Sequence, residues 1–267
     1  MTAPSLETAP ALETAPPLET APPLDLARLS PAESRLTVNL ALAARVLSAA
    51  GHDDFNQGQV STRLPGRTHF LIKSAQRGFS EATPDDVVAA DVDSAVAPHP
   101  WAPPELPLHQ AIYAARPDVN AIVHSHAPNT LVFGALDAEL AAVSHDGAVF
   151  AGRVTRFVTT SNTVLSRQIG DLVADELAAN PAVFLRNHGG VVVGKTLRHA
   201  TVYAQLLERA CRLQLLAMAT GTPFHSSTSA DVAGKLEYIY SDTSVKSYWD
   251  YSVRQVRQAS PQARSWS

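Results

Sequence analysis

The chain has a single cysteine, Cys211, so no disulfide can form within it and a disulfide framework is excluded. It also lacks any run of about eighteen apolar residues, and its start lacks a basic stretch followed by an apolar one, so neither a membrane span nor a secretory signal is expected. The net charge is −4 and the lysines and arginines are scattered without a basic stripe, which argues against a nucleic-acid partner. A cytoplasmic location fits these absences best. What is present is 267 residues with 45% hydrophobic content, enough to bury one substantial core.

The first residues are a repeat. Thr2-Ala3-Pro4-Ser5-Leu6-Glu7 recurs with variations from Thr8, Thr14 and Thr20, ending at Asp25. Proline in each copy forbids a continuous helix or ladder, and the copies hold too little apolar surface to fold alone, so 1–27 is read as a disordered or loosely docked extension. A domain is expected over 28–222, and 223–267 as an extension packing on it or on a neighbouring subunit. Ser30-Pro31-Ala32-Glu33 is a helix start, with serine as N-cap, proline in the first helical position and glutamate in the third, and this helix should stop near Gly51. Short strands are expected through Val60, Phe70-Leu71-Ile72 and Val87-Val88. Helices should follow at about Leu106–Ala115, Asn129–Leu136, Ser166–Asn180 and Leu197–Ala219. In the third of these, Ile169, Leu172, Val173 and Leu177 should share a buried face; in the fourth, Leu206, Leu207, Leu213, Leu215 and Leu216 should be core. The aromatics of Tyr238-Ile239-Tyr240 and Tyr248-Trp249-Asp250-Tyr251 are expected to pack on the domain.

Chemistry concentrates in the histidines. Asn120-Ala121-Ile122-Val123-His124-Ser125-His126 reads as a buried strand running into a loop before Pro128. Residues i and i+2 of a strand face the same way, so both imidazoles can reach one ion. A third can come from His188, at the tip of a hairpin between Ala182-Val183-Phe184-Leu185 and Val191-Val192-Val193-Gly194. Three neutral nitrogens leave a coordination position open, as in catalytic sites, and Glu105 can serve as a fourth ligand or as the acid/base beside the ion. Read singly, His-x-His arises by chance in many proteins, and His188 before Gly189-Gly190 can be turn chemistry. His52, His109 and His145 read as surface or hydrogen-bonded core residues.

In combination these motifs resemble one family. Gly58-Gln59-Val60-Ser61-Thr62-Arg63, Glu105 four residues before His109, Ala114-Ala115-Arg116-Pro117-Asp118 leading to His124-Ser125-His126, and Asn187-His188-Gly189 occur in the order of the class II aldolase/adducin family, over about Leu36 to Ala219. The resemblance implies an α/β fold: a single α/β/α domain with a largely antiparallel central sheet flanked by helices, assembled as a homotetramer with sites between subunits. It implies that His124, His126 and His188 bind one divalent metal ion per subunit, with zinc, manganese, iron and cobalt all open, and that Glu105 is the catalytic acid/base.

The departures from the family bear on substrate. Its sugar-phosphate enzymes hold phosphate with a Gly-Asn-x-Ser stretch, a Thr-Gly or Ser-Gly pair, and a Ser-Ser pair before the acidic residue; here these read Gly58-Gln59-Val60-Ser61, Ala75-Gln76 and Pro103-Pro104. Proline has neither N–H nor hydroxyl to give a phosphate. Gln59, Ser61, Arg63, Lys73 and Arg77 are expected to face the substrate instead, with Arg63 or Arg77 gripping a carboxylate. The pattern is similar to that of the branch of hydroxyaromatic dicarboxylate decarboxylases acting on dihydroxyphthalate-like acids, and implies a lyase of aromatic degradation such as phthalate catabolism. In that role Glu105 needs a pKa raised by Pro103, Pro104 and Leu106. Aldol cleavage or epimerisation of an unphosphorylated sugar or sugar acid is the alternative, and a noncatalytic scaffold a third.

Overall fold

The hydroxyl of Ser30 accepts from the Glu33 N–H at 3.3 Å while the Glu33 carboxylate accepts from the Ser30 N–H at 2.8 Å, and this reciprocal cap starts α1 (Pro31–Ala49) where the sequence places it. A computed structural model describes residues 29–94 and 99–266; the repeat expected to be an extension lies outside the described residues. Seven strands follow: β1 (Gln59–Arg63), β2 (His69–Lys73), β3 (Val87–Asp91), β4 (Ala121–Ser125), β5 (Val154–Phe157), β6 (Ala182–Leu185) and β7 (Gly189–Gly194). They form one sheet in the order β3-β2-β1-β4-β7-β6-β5, antiparallel at every pairing except β5 with β6.

Both faces of this sheet are covered, which is why its central strands read as nearly unbroken apolar runs. Along β4, Ala121 and Val123 enter a core shared with α1 and α5 (Leu197–Ala219), while Ile122 between them enters a second core with α2 (Leu106–Ala115) and α4 (Arg167–Leu177). The period of two thus builds an α/β/α sandwich from one strand sequence. A short helix, α3 (Pro128–Ala135), leaves the end of β4, and its first N–H groups, those of Asn129 and Thr130, donate to the buried Glu208 carboxylate of α5.

Two expectations need correction. In α4 the buried positions are Gly170, Val173, Ala174 and Leu177, with Leu172 42% exposed and Ile169 only packed alongside. In α5, Leu206 and Leu207 are core and Leu215 is partly buried against it, but Leu213 and Leu216 are exposed; Ala210, Cys211 and Gln214 occupy the stripe beneath them. Leucine content overstated the buried width of both helices. Beyond α5 the chain forms α6 (Ser229–Tyr238), α7 (Asp242–Ala259) and α8 (Pro261–Arg264). Val245, Trp249 and Val256 of α7 are buried in the cluster shared by α1 and α5, and Tyr240 joins them, whereas Tyr238 and Tyr251 are exposed. No helix among the described residues is long and apolar enough to cross a membrane.

Candidate metal centre

The centre of the sheet brings the singled-out histidines together. His124 pairs with Gln59 of β1 on one side and Val191 of β7 on the other, so its ring is fully buried. His126 lies just past the strand on the same side. The β6–β7 hairpin then turns through Asn187, at φ 57°, and carries His188 to the same point. Gly189 lets that turn close on β4: a Cβ there would stand 2.5 Å from the Ser125 carbonyl oxygen and 2.9 Å from the His126 ring. The three ring centroids are 5.0 to 5.1 Å apart. Glu105 sits at the N-cap of α2 yet makes no capping bond, because its carboxylate is turned into the cluster. One ligand atom from each of Glu105, His124, His126 and His188 lies within 4.8 Å of the others.

Neighbours set which nitrogen is available. Nδ1 of His124 lies 3.1 Å from the Gly190 carbonyl oxygen and Nδ1 of His126 lies 2.8 Å from Asp54 Oδ2. Both oxygens only accept, so Nδ1 donates in each and Nε2 is left with its lone pair. Those two Nε2 atoms are buried without a hydrogen-bond partner. Glu105 Oε2 is 3.0 Å from His124 Nε2, close but out of line for a hydrogen bond, and its Oε1 is 3.5 Å from His188 Nε2 while accepting from the Val164 N–H at 3.0 Å.

Burial alone would raise the Glu105 pKa, but the His124 imidazole beside it, then the Val164 N–H and His188, hold it below the usual carboxylate range. The raised value expected from Pro103, Pro104 and Leu106 is therefore corrected: the neighbouring histidines outweigh the apolar surroundings. His124 is the counterpart: burial, the largest single influence, lowers its pKa, but the Glu105 carboxylate and the Gly190 carbonyl together raise it. Burial, with His124 next, lowers His126 and takes His188 to about 4, so both are neutral at pH 7. A lone pair facing a carboxylate inside protein needs a cation between them, either a proton or a metal ion. Orphaned, inward-facing Nε2 atoms beside an ionised carboxylate fit a divalent ion.

Beside Glu105 opens a cavity of about 220 Å³, lined by Asn56, Gln57, Gly58, Gln59, Ala75, Pro103, Pro104, Glu105 and Thr163. Gln59, Ala75, Pro103 and Pro104 are the positions where the resemblance placed phosphate ligands, and here they share one wall. Of the five residues expected to face the substrate, only Gln59 lines this cavity: its amide Nε2 is 3.5 Å from Glu105 Oε2 and its Oε1 has no partner. Ser61, on β1, is buried against α2, its hydroxyl 2.8 Å from both His109 Nδ1 and the Tyr113 hydroxyl. Arg63, about 13 Å along β1 from Gln59, donates to the carbonyls of Val119, Tyr113 and Arg116. Lys73 is buried against backbone carbonyls, and Arg77, half-exposed, turns to Asp86 and Glu81 at 3.7 and 4.0 Å. Neither Arg63 nor Arg77, the two expected to grip a carboxylate, lines this cavity. Asp54, Asn56 and Thr163 were not singled out from sequence. Asp54 follows another aspartate in a loop, and nothing local marks which of the two meets His126.

Residues 38–215 match the class II aldolase and adducin N-terminal domain family. The chain belongs to that family. Among curated relatives it is 34% identical over 148 residues to decarboxylase NovR of Streptomyces niveus, covering 54% of this chain and 55% of that one. It is likewise 34% identical over 146 residues to the 4-hydroxy-3-prenylphenylpyruvate oxygenase/4-hydroxy-3-prenylbenzoate synthase of Streptomyces roseochromogenus subsp. oscitans, over 54% of this chain and 53% of that protein. The chain thus spans about half the length of these relatives. A crystal structure of an aldolase II superfamily protein from Pseudomonas syringae superposes with a TM-score of 0.78 at 26% identity, covering 90% of this chain and 98% of the other. The fold is a class II aldolase fold; class II aldolases use a divalent metal, and the Glu105 and three-histidine cluster could bind one.

Proposed function

We propose that this chain is a divalent-metal-dependent decarboxylase of a hydroxylated aromatic dicarboxylate of the dihydroxyphthalate type, acting as a homotetramer in the cytoplasm. The observation that carries the reading is the cavity wall: Gln59, Ala75, Pro103 and Pro104 meet around one space beside Glu105, offering flat apolar surface and amide groups instead of a phosphate cradle. Relatives named decarboxylase NovR and prenylbenzoate synthase support an aromatic acid. The retained carboxylate would meet the amides of Gln57 and Gln59, because no cation lines this cavity among the described residues.

His124, His126 and His188 would hold the ion through Nε2, and when bound it supplies Lewis acidity that stabilises negative charge on substrate oxygen. Glu105, ionised at rest, accepts the proton of a ring hydroxyl at Oε2. It then gives that proton to the ring carbon as the bond to the departing carboxylate breaks and carbon dioxide leaves, so that no free aryl carbanion accumulates. The phenolate recovers a proton from solvent. Pro103 and Pro104 present no N–H or hydroxyl that would donate to the Glu105 carboxylate in place of the substrate hydroxyl. The same neutral amide wall also suits the hydroxyls of an unphosphorylated sugar, whose aldol cleavage or epimerisation is the second reading.

The test is incubation of the metal-loaded protein with dihydroxyphthalates and hydroxylated pyridine dicarboxylates, following carbon dioxide release. Release from at least one of them is expected. No turnover of any, together with cleavage of an unphosphorylated aldol substrate, would replace the first reading by the second.

A further inference from the structure

We propose that Lys73 is a positioning residue of this site: its ammonium pins together the two chain segments that form the cavity wall and fixes where a substrate sits without touching it. The inference rests on the reading above that substrate occupies the cavity beside Glu105.

Lys73 ends β2 with 1% of its surface exposed. An ammonium has three N–H donors and no acceptor. Those of Lys73 meet three carbonyl oxygens, of Asn56 at 3.3 Å, Ser74 at 2.8 Å and Arg77 at 2.5 Å. No donor remains for a substrate carboxylate or phosphate. The acceptors belong to two loops that adjoin nowhere in sequence. One carries Asn56, Gln57 and Gly58 into the cavity wall, and the other carries Ala75. A second tie runs between them directly, from Asn56 Nδ2 to the Ala75 carbonyl at 2.9 Å. The first loop also holds Asp54, which orients His126, so the clamp reaches a candidate metal ligand through two residues of backbone.

A buried ammonium is a costly way to close a loop. Among the described residues Lys73 forms no ion pair at close range; burial pushes its pKa down to about 8, while Asp86 and Glu81 act on it only through space. A methionine of similar length would fill the volume without that desolvation cost. Placing a charge there instead gives three loop carbonyls a charge-assisted partner, which orders a wall that side-chain packing alone would leave free to shift.

The test compares wild type with Lys73→Met and, in case that variant folds poorly, Lys73→Gln, which keeps two N–H donors. Amide hydrogen exchange, measured on metal-loaded protein without substrate, should rise in the peptides covering 54–58 and 74–78 and stay unchanged in β4 and β7. For the aromatic dicarboxylate, KM should rise roughly tenfold or more with kcat changed far less, and Lys73→Gln should recover part of the loss. A matched monocarboxylate should lose as much. Unchanged exchange in both segments would overturn the clamp, and so would a loss confined to the dicarboxylate, which would mean direct contact. If wild type decarboxylates nothing while the exchange pattern holds, the proposed substrate fails and the clamp stands.

Discussion

The two ends of the central sheet handle polar groups in opposite ways. At one end, around the start of β1 and the end of β4, the buried atoms His52 Nε2, Gln59 Oε1, His109 Nε2, His124 Nε2 and His126 Nε2 have no hydrogen-bond partner. At the other end, Arg63 donates to three backbone carbonyls, Arg67 pairs with Glu33 at 2.7 Å and Lys195 pairs with Asp242 at 2.6 Å. The larger cavity, about 690 Å³ and lined by Arg63, Arg67, Lys195 and Trp249, is at this second end. Size and positive charge therefore point away from the chemistry. A fold normally satisfies its buried polar groups, and the place where it leaves several imidazole nitrogens unsatisfied is the place built for something that is not protein.

Mutations can break this contrast at either end. The largest effect is expected from His124→Ala or His188→Ala, each of which removes one of three nitrogen ligands; bound metal after dialysis should fall to a small fraction and decarboxylation with it, by about a thousandfold or more. Glu105→Gln should keep the metal, yet lower kcat by roughly a hundredfold to ten-thousandfold, because the amide cannot carry the proton. Asp54→Asn should weaken metal affinity by about tenfold to a hundredfold, since the carboxylate fixes His126 with Nε2 free; competition with a chelator measures it.

At the other end the expected loss is of stability alone. Arg63→Met removes the guanidinium from the Val119, Tyr113 and Arg116 carbonyls and should cost about 1–3 kcal/mol in denaturant unfolding, with metal affinity unchanged. A fall in metal affinity in this variant would show that the two ends are not separable.

How much of this could be read from sequence follows the same division. The α1 start was legible because both halves of its cap lie within four residues, and the placement of His124 beside His126 because a strand's period of two is local. The hairpin carrying His188 was legible because turn residues punctuate two apolar runs. Partners remote in sequence were not. His126 meets Asp54 across 72 positions, and the carbonyls that absorb Arg63 lie 50 to 56 residues away, so a cation free on paper is spent in the fold. The four-residue β5 was missed for a related reason. It carries Arg156 in a short edge strand, and only the tertiary structure shows that guanidinium donating to the carbonyls of Phe133, Gly134 and Ala138. The helices after α5 showed only scattered aromatics, of which Trp249 alone among the larger rings of α7 is buried.

A pH dependence of stability also belongs to the imidazole end. Burial pushes His52 down to about 4 and, with His124 adding to it, His109 to about 3, both below the ordinary value of 6.5. Each is neutral in the fold and takes a proton on unfolding below pH 6.5. Their stabilisation is thus fully present above that pH and declines as pH falls towards about 4, by at most ~1.4 kcal/mol per pH unit for each. Urea unfolding followed from pH 7 to pH 4.5 should show this slope, and His109→Asn should flatten it. An unchanged slope in that variant would remove His109 from the explanation.

The contrast between the two ends is tested most directly by titrating metal-free protein with cobalt and following the absorption of the bound ion, in wild type, His126→Ala and Arg63→Met. Saturation at one ion per chain is expected in wild type and Arg63→Met, with saturable binding lost in His126→Ala. Binding that survives in His126→Ala, or no saturable binding in wild type, would contradict the assignment of the unsatisfied imidazole end as a metal centre.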